Sequence, residues 1–383
     1  MRTVSAHAND PETGSAIADL MAEAERGLNG AIPIAGLLFA GIDVDHPRVL
    51  AAIADRWPDL ALIGCTTDGE ISSTLAFQED SLALFLFVGG GLIARVGVGT
   101  GLARDPAAAA RQAAAEAGYP GVPRLCVALP ESLQVDGVPV VAAVNAALPA
   151  GTVVVGGTAG DRWQFRATRQ FCGRRVVEDS VPLLLLGGAF EVGVGIASGW
   201  TPLGRIGRVT AGEGPLVREI DHAPAVEFYR QYLGHHVEPN PEYPILILEE
   251  DDGPGYLRAP FRYDADTGAI VFAADVPAGA GLQVTAAPSQ GILDACAVSV
   301  ERALAGSDLP VVGAFAVSCA ARKQILGTRT ANECRILRDA IGPDVPVIGF
   351  YAYGEIAPLG AARTARFHNE TFVTVVFRSV PDA

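Results

Sequence analysis

Apolar residues in this chain fall into short, nearly unbroken runs rather than a strict apolar-polar alternation. Residues 34–40, 82–88, 125–129, 183–186, 311–317 and 371–377 are almost entirely Val, Leu, Ile, Phe, Ala and Gly. Runs of that length predict strands covered on both faces. Between them lie stretches with helical spacing, at 46–57, 138–148 and 330–341. The order repeats three times. A strand leads to a helix, a second strand ends on a polar loop, and a further apolar strand closes the unit. The second strands, 60–64, 152–155 and 345–348, open into residues 65–70, 156–161 and 349–355. Ile63-Gly64, Val155-Gly156 and Ile348-Gly349 occupy the same strand-end place, and Gly69-Glu70-Ile71 matches Gly354-Glu355-Ile356. The first two units share an ending, Val96-Gly97-Val98-Gly99 and Val192-Gly193-Val194-Gly195. The pattern predicts an α/β fold with mixed sheets built from repeated strand-helix-strand-strand units.

A different region separates the second and third units. It follows the Gly/Pro-rich residues 199–214 and reads as a helix near 224–233, short strands at 245–248, 269–272 and 281–285, and a long helix at 288–305. The chain of 383 residues is long enough for two domains, with a boundary expected near residue 222.

Composition narrows the function classes. Half the residues are hydrophobic and 19% are charged, which suits a large core and excludes a disordered chain. A formal charge of −15 argues against docking on a phosphate backbone. Lys323 is the single lysine among 28 basic residues, which reads as genome composition. The six cysteines, none at C-x-x-C spacing, are expected to be reduced thiols in a cytosolic protein. Residues 1–20 lack the apolar core of a signal peptide. The greasiest stretch, 181–200, is broken by Pro182, glycines and Glu191, and predicts two strands joined at Gly187-Gly188 rather than a membrane span.

Candidate chemistry gathers in the strand-end loops, where a rigid α/β scaffold usually presents it. The first loop offers Thr66, Thr67, Asp68 and Glu70, the second Thr158 and Asp161, and the third Tyr351, Tyr353 and Glu355. Two such loops facing each other would converge polar groups on one ligand; alternatively, the hydroxyls and glycines serve tight turns. No phosphate-binding loop occurs. Cys65 is a candidate nucleophile with His368 as its base, set against the commoner meaning of a small buried thiol. Ser132 does not sit in a G-x-S-x-G elbow. His368, just before the last apolar strand, is a candidate metal or haem ligand with Asn369 or Glu370 fixing its tautomer, or else a hydrogen-bonded anchor. The acidic run 249–253 lacks EF-hand spacing and reads as a solvated turn.

Taken in order, Gly64-Cys65-Thr66-Thr67-Asp68-Gly69-Glu70-Ile71, then Gly156-Gly157-Thr158-Ala159-Gly160-Asp161, then Gly354-Glu355-Ile356-Ala357-Pro358 with Phe367-His368-Asn369-Glu370-Thr371, the chain resembles the FIST family of bacterial sensory domains. The resemblance implies an N-terminal extension at 1–29, a FIST N-terminal sensory domain at 30–221 and a FIST C-terminal domain at 222–383. It implies a cytoplasmic small-ligand sensor in signal transduction that is not an enzyme. A stand-alone subgroup that binds haem b, senses nitric oxide and regulates a partner histidine kinase or cyclic-di-GMP enzyme is similar too, and on that reading His368 would hold the iron. The alternatives are a sensor of a small organic ligand such as an amino acid, without haem, and, more distantly, a Cys65-dependent enzyme. No nucleic-acid or membrane partner is expected.

Overall fold

The computed structural model describes residues 1–89, 91–248, 255–360 and 364–380; the acidic run 249–253 lies outside them. Three copies of one unit follow each other. The first comprises β1 (Arg2–Ala8), α1 (Thr13–Leu28), β2 (Ala35–Ala40), α2 (His46–Arg56), β3 (Ala61–Thr66), the hairpin β4 (Glu70–Ser72) and β5 (Ala76–Gln78), and β6 (Leu82–Val88). The second comprises β7 (Ile93–Thr100), α3 (Pro106–Ala117), β8 (Leu125–Ala128), α4 (Gly137–Ala147), β9 (Val153–Gly157), β10 (Gln170–Cys172), β11 (Arg175–Val177) and β12 (Ser180–Gly187).

The third unit starts with β13 (Phe190–Ala197) and is interrupted by an insert: β14 (Thr201–Glu213), β15 (Leu216–Ile220), β16 (Ala223–Pro224), α5 (Ala225–Leu233), β17 (Ile245–Leu248), β18 (Tyr256–Arg258), β19 (Pro260–Tyr263), β20 (Ile270–Phe272) and β21 (Gly281–Ala286). It resumes with α6 (Ser289–Leu304), β22 (Val311–Cys319), α7 (Ala320–Leu326), α8 (Ala331–Ile341), β23 (Val347–Ala352), β24 (Glu355–Pro358), β25 (Ala365–His368) and β26 (Phe372–Ser379).

Each unit builds four strands of its own sheet and gives its hairpin to another. The orders are β1-β6-β2-β3-β10-β11, β7-β12-β8-β9-β24-β25 and β13-β26-β22-β23-β4-β5. The strand pairs joined through α2, α4 and α8 are parallel, as a helical crossover requires, and all other pairings are antiparallel. The inner faces of the three sheets meet in one core that holds Leu37, Phe39, Phe85, Val127, Leu184, Phe315, Phe350 and Phe377. The alternate residues face outward under helices: Leu38 and Leu84 against α1 and α2, Cys126 and Leu185 against α3 and α4, Ala316 and Val376 against α6 and α8. Both faces of each strand are therefore apolar, which is why the runs do not alternate.

The repeated Val-Gly-Val-Gly has a packing cause. A Cβ on Gly97 or Gly99 would overlap the backbone carbonyls of Ala113 or Ala109 in α3, and one on Gly193 or Gly195 would overlap those of Ala303 or Ser299 in α6. In the first unit the small residue sits on the helix instead, with Gly27 of α1 against Val4 of β1. These strands open units two and three rather than close units one and two. By the same phasing, residues 1–29 are no appendage: β1 pairs with β6 along its whole length.

The Gly/Pro-rich residues 201–213 form the strand β14, paired with β15 and β21. A boundary at 221/222 would pass between β15 and β16, whose residues 219–220 and 223–224 are partners in one sheet. The insert has its own core around Phe228, Tyr229, Ile245, Ile270 and Val284. As expected, the stretch 181–200 forms antiparallel strand segments, and no helix among the described residues is long and apolar enough to cross a membrane.

Candidate functional site

The three strand-end loops interlock through their backbones. Asp68 N donates to Tyr351 O, Tyr351 N to Gly69 O, Thr158 N to Gly354 O and Gly160 N to Thr66 O. Most of the polar side chains expected to meet a ligand are used up in this lock. Thr66 Oγ1 accepts from Arg169 N, and Thr67 donates to Glu70 while accepting from Gly69 N. Tyr351 donates to Glu333 Oε2 (2.6 Å). Asp161 accepts Tyr353 OH (2.7 Å) and the backbone N–H groups of Phe165, Arg166 and Ala167, and so shapes the 161–167 loop. Asp68 Oδ2 takes Lys323 Nζ (2.8 Å) and Trp163 Nε1 (3.0 Å), leaving Oδ1 without a partner. Burial pushes the Asp68 carboxyl up to about 6 despite Lys323. The buried Thr158 hydroxyl has no partner either.

A second device repeats at the far end of each hairpin. Glu70 accepts from Ser81 N and Oγ, Gln170 accepts from Ser180 Oγ, and Glu355 accepts from Thr371 N and Oγ1. Each pair ties the first residue of a hairpin strand to a residue at the start of the unit's last strand or immediately before it. Burial pushes the carboxyls up, Glu70 to about 7 and Glu355 to about 8. Glu70 and Glu355 are thus ties, and Gln170, which is not in the Gly-Glu pattern, does the same work in the second unit.

The residues just before each tie break the symmetry. They are Glu79-Asp80, Glu178-Asp179 and Asn369-Glu370, and Asp80, Asp179 and Glu370 all adopt the left-handed backbone at φ 55°, 44° and 63°. At the first corner Glu79 meets Lys323 (2.7 Å) and Asp80 meets Arg162 (2.5 Å). At the second, Glu178 meets Arg169 (3.0 Å) and Asp179 accepts from Ala103 N (2.7 Å). At the third, Asn369 Oδ1 and both carboxyl oxygens of Glu370 have no partner, although Glu370 is 0% exposed. Burial pushes the Glu370 carboxyl well up, and neighbouring Glu355 adds to it against Arg322. A buried polar group left unpaired in that way points to a missing partner.

That corner opens on a cleft of about 570 Å³. Its walls come from Ser132–Asp136 after β8, Trp163 and Phe165, Cys319–Ala321 at the β22–α7 junction, Tyr353, Asn369 and Glu370; Ala259–Phe261 and Phe272–Ala274 of the insert form its roof. Trp163, Phe165, Tyr353 and Phe261 pack ring to ring, with centroids 5.2–5.8 Å apart. Phe165 and Phe261 are 40% and 51% exposed. Arg162, Trp163 and Phe165 are held at positive φ, a strained backbone of the kind concentrated at functional sites. Behind the wall, Arg322 and Glu333 form a fully buried pair (2.7 Å) that Tyr351 and Ser318 complete. Three other concavities, beside the α1–α2 ends, between α4 and β25 and on α6–α8, hold no orphaned buried polar atom.

Of the expected site residues, Tyr353 lines the cleft, and Asp68 and Asp161 position its Trp163–Phe165 wall. Glu355 lies beside Glu370; Thr66, Thr67, Glu70, Thr158 and Tyr351 are buried and do not line the cleft. Glu370, Asn369, Trp163, Phe165, Cys319 and Phe261 form the cleft without having stood out as a ligand site. The residue signal available was the Glu79-Asp80, Glu178-Asp179 repeat with its uncharged Asn369.

His368 does not fit an iron ligand. It is buried, away from the cleft lining, and its Nε2 is 3.0 Å from Ala357 O in the β24–β25 hairpin, where it acts as an anchor. Burial lowers it to about 4, so the ring is neutral. The cleft lining also lacks a Lys or Arg to meet haem propionates. Among the described residues no group of three metal-ligating side chains gathers. Cys65 is wholly buried in the central core and its thiol is pushed well up, so it is no nucleophile; all six cysteines are free and buried.

Two family models match the chain: the FIST N domain over residues 34–223 and the FIST C domain over residues 225–358. An uncharacterized protein of Mycobacterium tuberculosis, in strains CDC 1551 and H37Rv, is 27% identical over 372 residues, covering 91% of this chain and 93% of its own. Among solved structures, a cyanuric acid hydrolase is similar at TM-score 0.37 and 10% identity over 99% of this chain and 98% of its own. The cyanuric acid hydrolase of A. caulinodans follows at 0.36 and 10% over 100% and 99%. Both of these proteins are enzymes by name, so the expectation that this chain is not an enzyme is withdrawn. At these TM-scores the likeness carries no reaction over to it.

Proposed function

The chain belongs to the FIST family, and from that premise we propose that it is a ligand-binding signal-transduction sensor whose small-molecule ligand sits in the cleft of about 570 Å³ beside Glu370. The observation that carries the reading is Glu370, enclosed by protein with neither carboxyl oxygen partnered, while the equivalent acids of the other two units are matched. A ligand supplies the missing partner and removes the desolvation penalty. The cleft size suits a small organic molecule, and its walls combine aromatic surface with a few polar groups.

The position of the cleft also supports a sensing role. A molecule there touches the second unit, the third unit and the insert, whose outer cores are built on different helices, α3 and α4, α6 and α8, and α5. Contacts that differ between two arrangements of these parts would let binding shift the balance between them, which is the thermodynamic requirement for a signal. The family resemblance supports output through a separate protein, a histidine kinase or a cyclic-di-GMP enzyme.

The test is a thermal-shift screen of small nitrogenous metabolites, amino acids and amines included, on the wild-type chain and on Ser132→Trp, which places an indole in the cleft. Stabilisation at 100 times Kd amounts to about 2.7 kcal/mol. The reading expects stabilising compounds that lose their effect in Ser132→Trp. No stabilisation by any compound, or stabilisation that survives Ser132→Trp, overturns it.

A further inference from the structure

We infer that the ligand is a small organic cation without a carboxylate of its own, its charged nitrogen at Glu370 and its carbon framework against the rings of Trp163, Phe165, Tyr353 and Phe261. This rests on the cleft being the ligand site and goes on to name what the site takes.

The chemistry of the lining is one-sided. Asp136 and Glu370 contribute acid, and no Lys or Arg side chain is present. Asp136 is already committed, with Oδ1 to Val138 N and Oδ2 to Asp275 N. The remaining orphaned atoms are Glu370 Oε1 and Oε2, Asn369 Oδ1 and the Ser132 hydroxyl. Three of the four can only accept from a ligand once Glu370 is ionised, so the ligand brings hydrogen-bond donors, and a positive charge on it holds Glu370 ionised against the burial that pushes its carboxyl up. A carboxylate on the same molecule would meet Glu370 and Asp136 with no cation among the lining side chains to balance it. That sets the site against free amino acids and against haem.

The other two units serve as internal controls. Where the same turn recurs, the chain supplies the positive partners itself: Lys323 and Arg162 at the first corner, Arg169 and a backbone N–H at the second. At the third corner the acid is kept, the turn is kept and the partner is replaced by a cleft. A ligand cation completes the set.

The aromatic wall is the independent observation. Four rings from three separate segments, 163–165, 261 and 353, pack into one cluster at the cleft, and two of them are substantially exposed despite their size. Ring faces attract alkylammonium and guanidinium groups and take up their apolar carbons. Trp163 is fixed through its Nε1 to Asp68, and Tyr353 through its hydroxyl to Asp161, so the wall is built before any ligand arrives.

The experiment uses the full chain and a matched series at ~0.15 M salt, where diffuse attraction to the acidic surface is screened: n-butylammonium, butyltrimethylammonium, butylguanidinium, n-butanol, butyrate and norleucine. Thermal shift ranks them and calorimetry gives affinity and stoichiometry. The inference expects one site per chain for a cation of the series and no binding of butanol, butyrate or norleucine. Glu370→Gln, which preserves shape, should lower cation affinity about tenfold or more, the loss of a charge-assisted contact. Phe261→Ala should weaken it with folding intact, and Asp80→Asn at the first corner should leave it unchanged. Binding of norleucine or butanol with the cations inert overturns the cation assignment and leaves the cleft as the ligand site. Cation affinity unchanged in Glu370→Gln also overturns it. If no member of this series and no compound of the metabolite screen binds, both readings fall.

Discussion

Replacing Glu355 with Gln should stabilise the protein at alkaline pH and leave it nearly unchanged at pH 5. Glu355 is wholly enclosed; its Oε2 accepts from Thr371 N (3.1 Å) and Thr371 Oγ1 (2.8 Å), and its Oε1 has no partner. Burial pushes its carboxyl up to about 8 from 4.5. Below pH 4.5 the group is protonated folded and unfolded, and folding gains nothing from pH. Between 4.5 and about 8 the unfolded chain releases the proton while the folded one retains it, so stability falls as pH rises. At about 1.4 kcal/mol for each tenfold, that displacement has a ceiling of about 5 kcal/mol, reached above pH 8. Glu370 is pushed up beside it, so the two release their protons as a coupled pair. In Glu355→Gln the amide oxygen keeps the Thr371 tie and the titration disappears. The assay is urea unfolding of both chains at pH 5, 7 and 9, followed by tryptophan fluorescence. The gap between variant and wild type should open by several kcal/mol from pH 5 to pH 9 at constant m. Parallel pH profiles, or a variant weakened equally at all three, would refute the reasoning.

Two other substitutions probe the frame that holds the site. Arg322→Met leaves Glu333 buried without its cation and should cost about 3–5 kcal/mol, a loss that Arg322→Met with Glu333→Gln partly recovers in the same urea assay; a single variant as stable as wild type would show that the pair is dispensable. Gly195→Ala drives a methyl into the Ser299 carbonyl of α6 and should cost about 2 kcal/mol or more, whereas Gly281→Ala, with ordinary space around it, should change stability by under ~0.5 kcal/mol. Equal effects at the two glycines would remove the close-approach explanation of Val-Gly-Val-Gly.

Much of the secondary structure was legible because it is local. Apolar runs at 34–40, 82–88 and 183–186 mark strands buried on both faces, and these appear as β2, β6 and within β12. The recurring strand-end Ile-Gly and Gly-Glu-Ile likewise announced a repeated unit before any partner was known. Its phase was not legible. In the first unit the close approach depends on Gly27 of a helix rather than on a strand glycine, so β1 and α1 looked like an extension. The glycine-rich residues 201–213 gave no strand pattern, yet pairing with β15 and β21 makes them a strand.

The chain by itself thus determined the α/β class, the threefold recurrence and the loops where polar chemistry collects, since each depends on residues within a few positions of one another. Only the tertiary structure decided which polar groups are spent and which are free. Thr67 and Glu70 satisfy each other three residues apart, whereas Lys323 reaches Glu79 across 244 positions and Arg162 reaches Asp80 across 82. Glu370 has the same turn as those acids and lacks a partner, a difference invisible in the residue itself. Hairpins exchanged between units, and an insert folded over the third corner, set which carboxylates meet a cation. Sheet pairing and loop closure bring such groups together across distances that a local pattern does not encode.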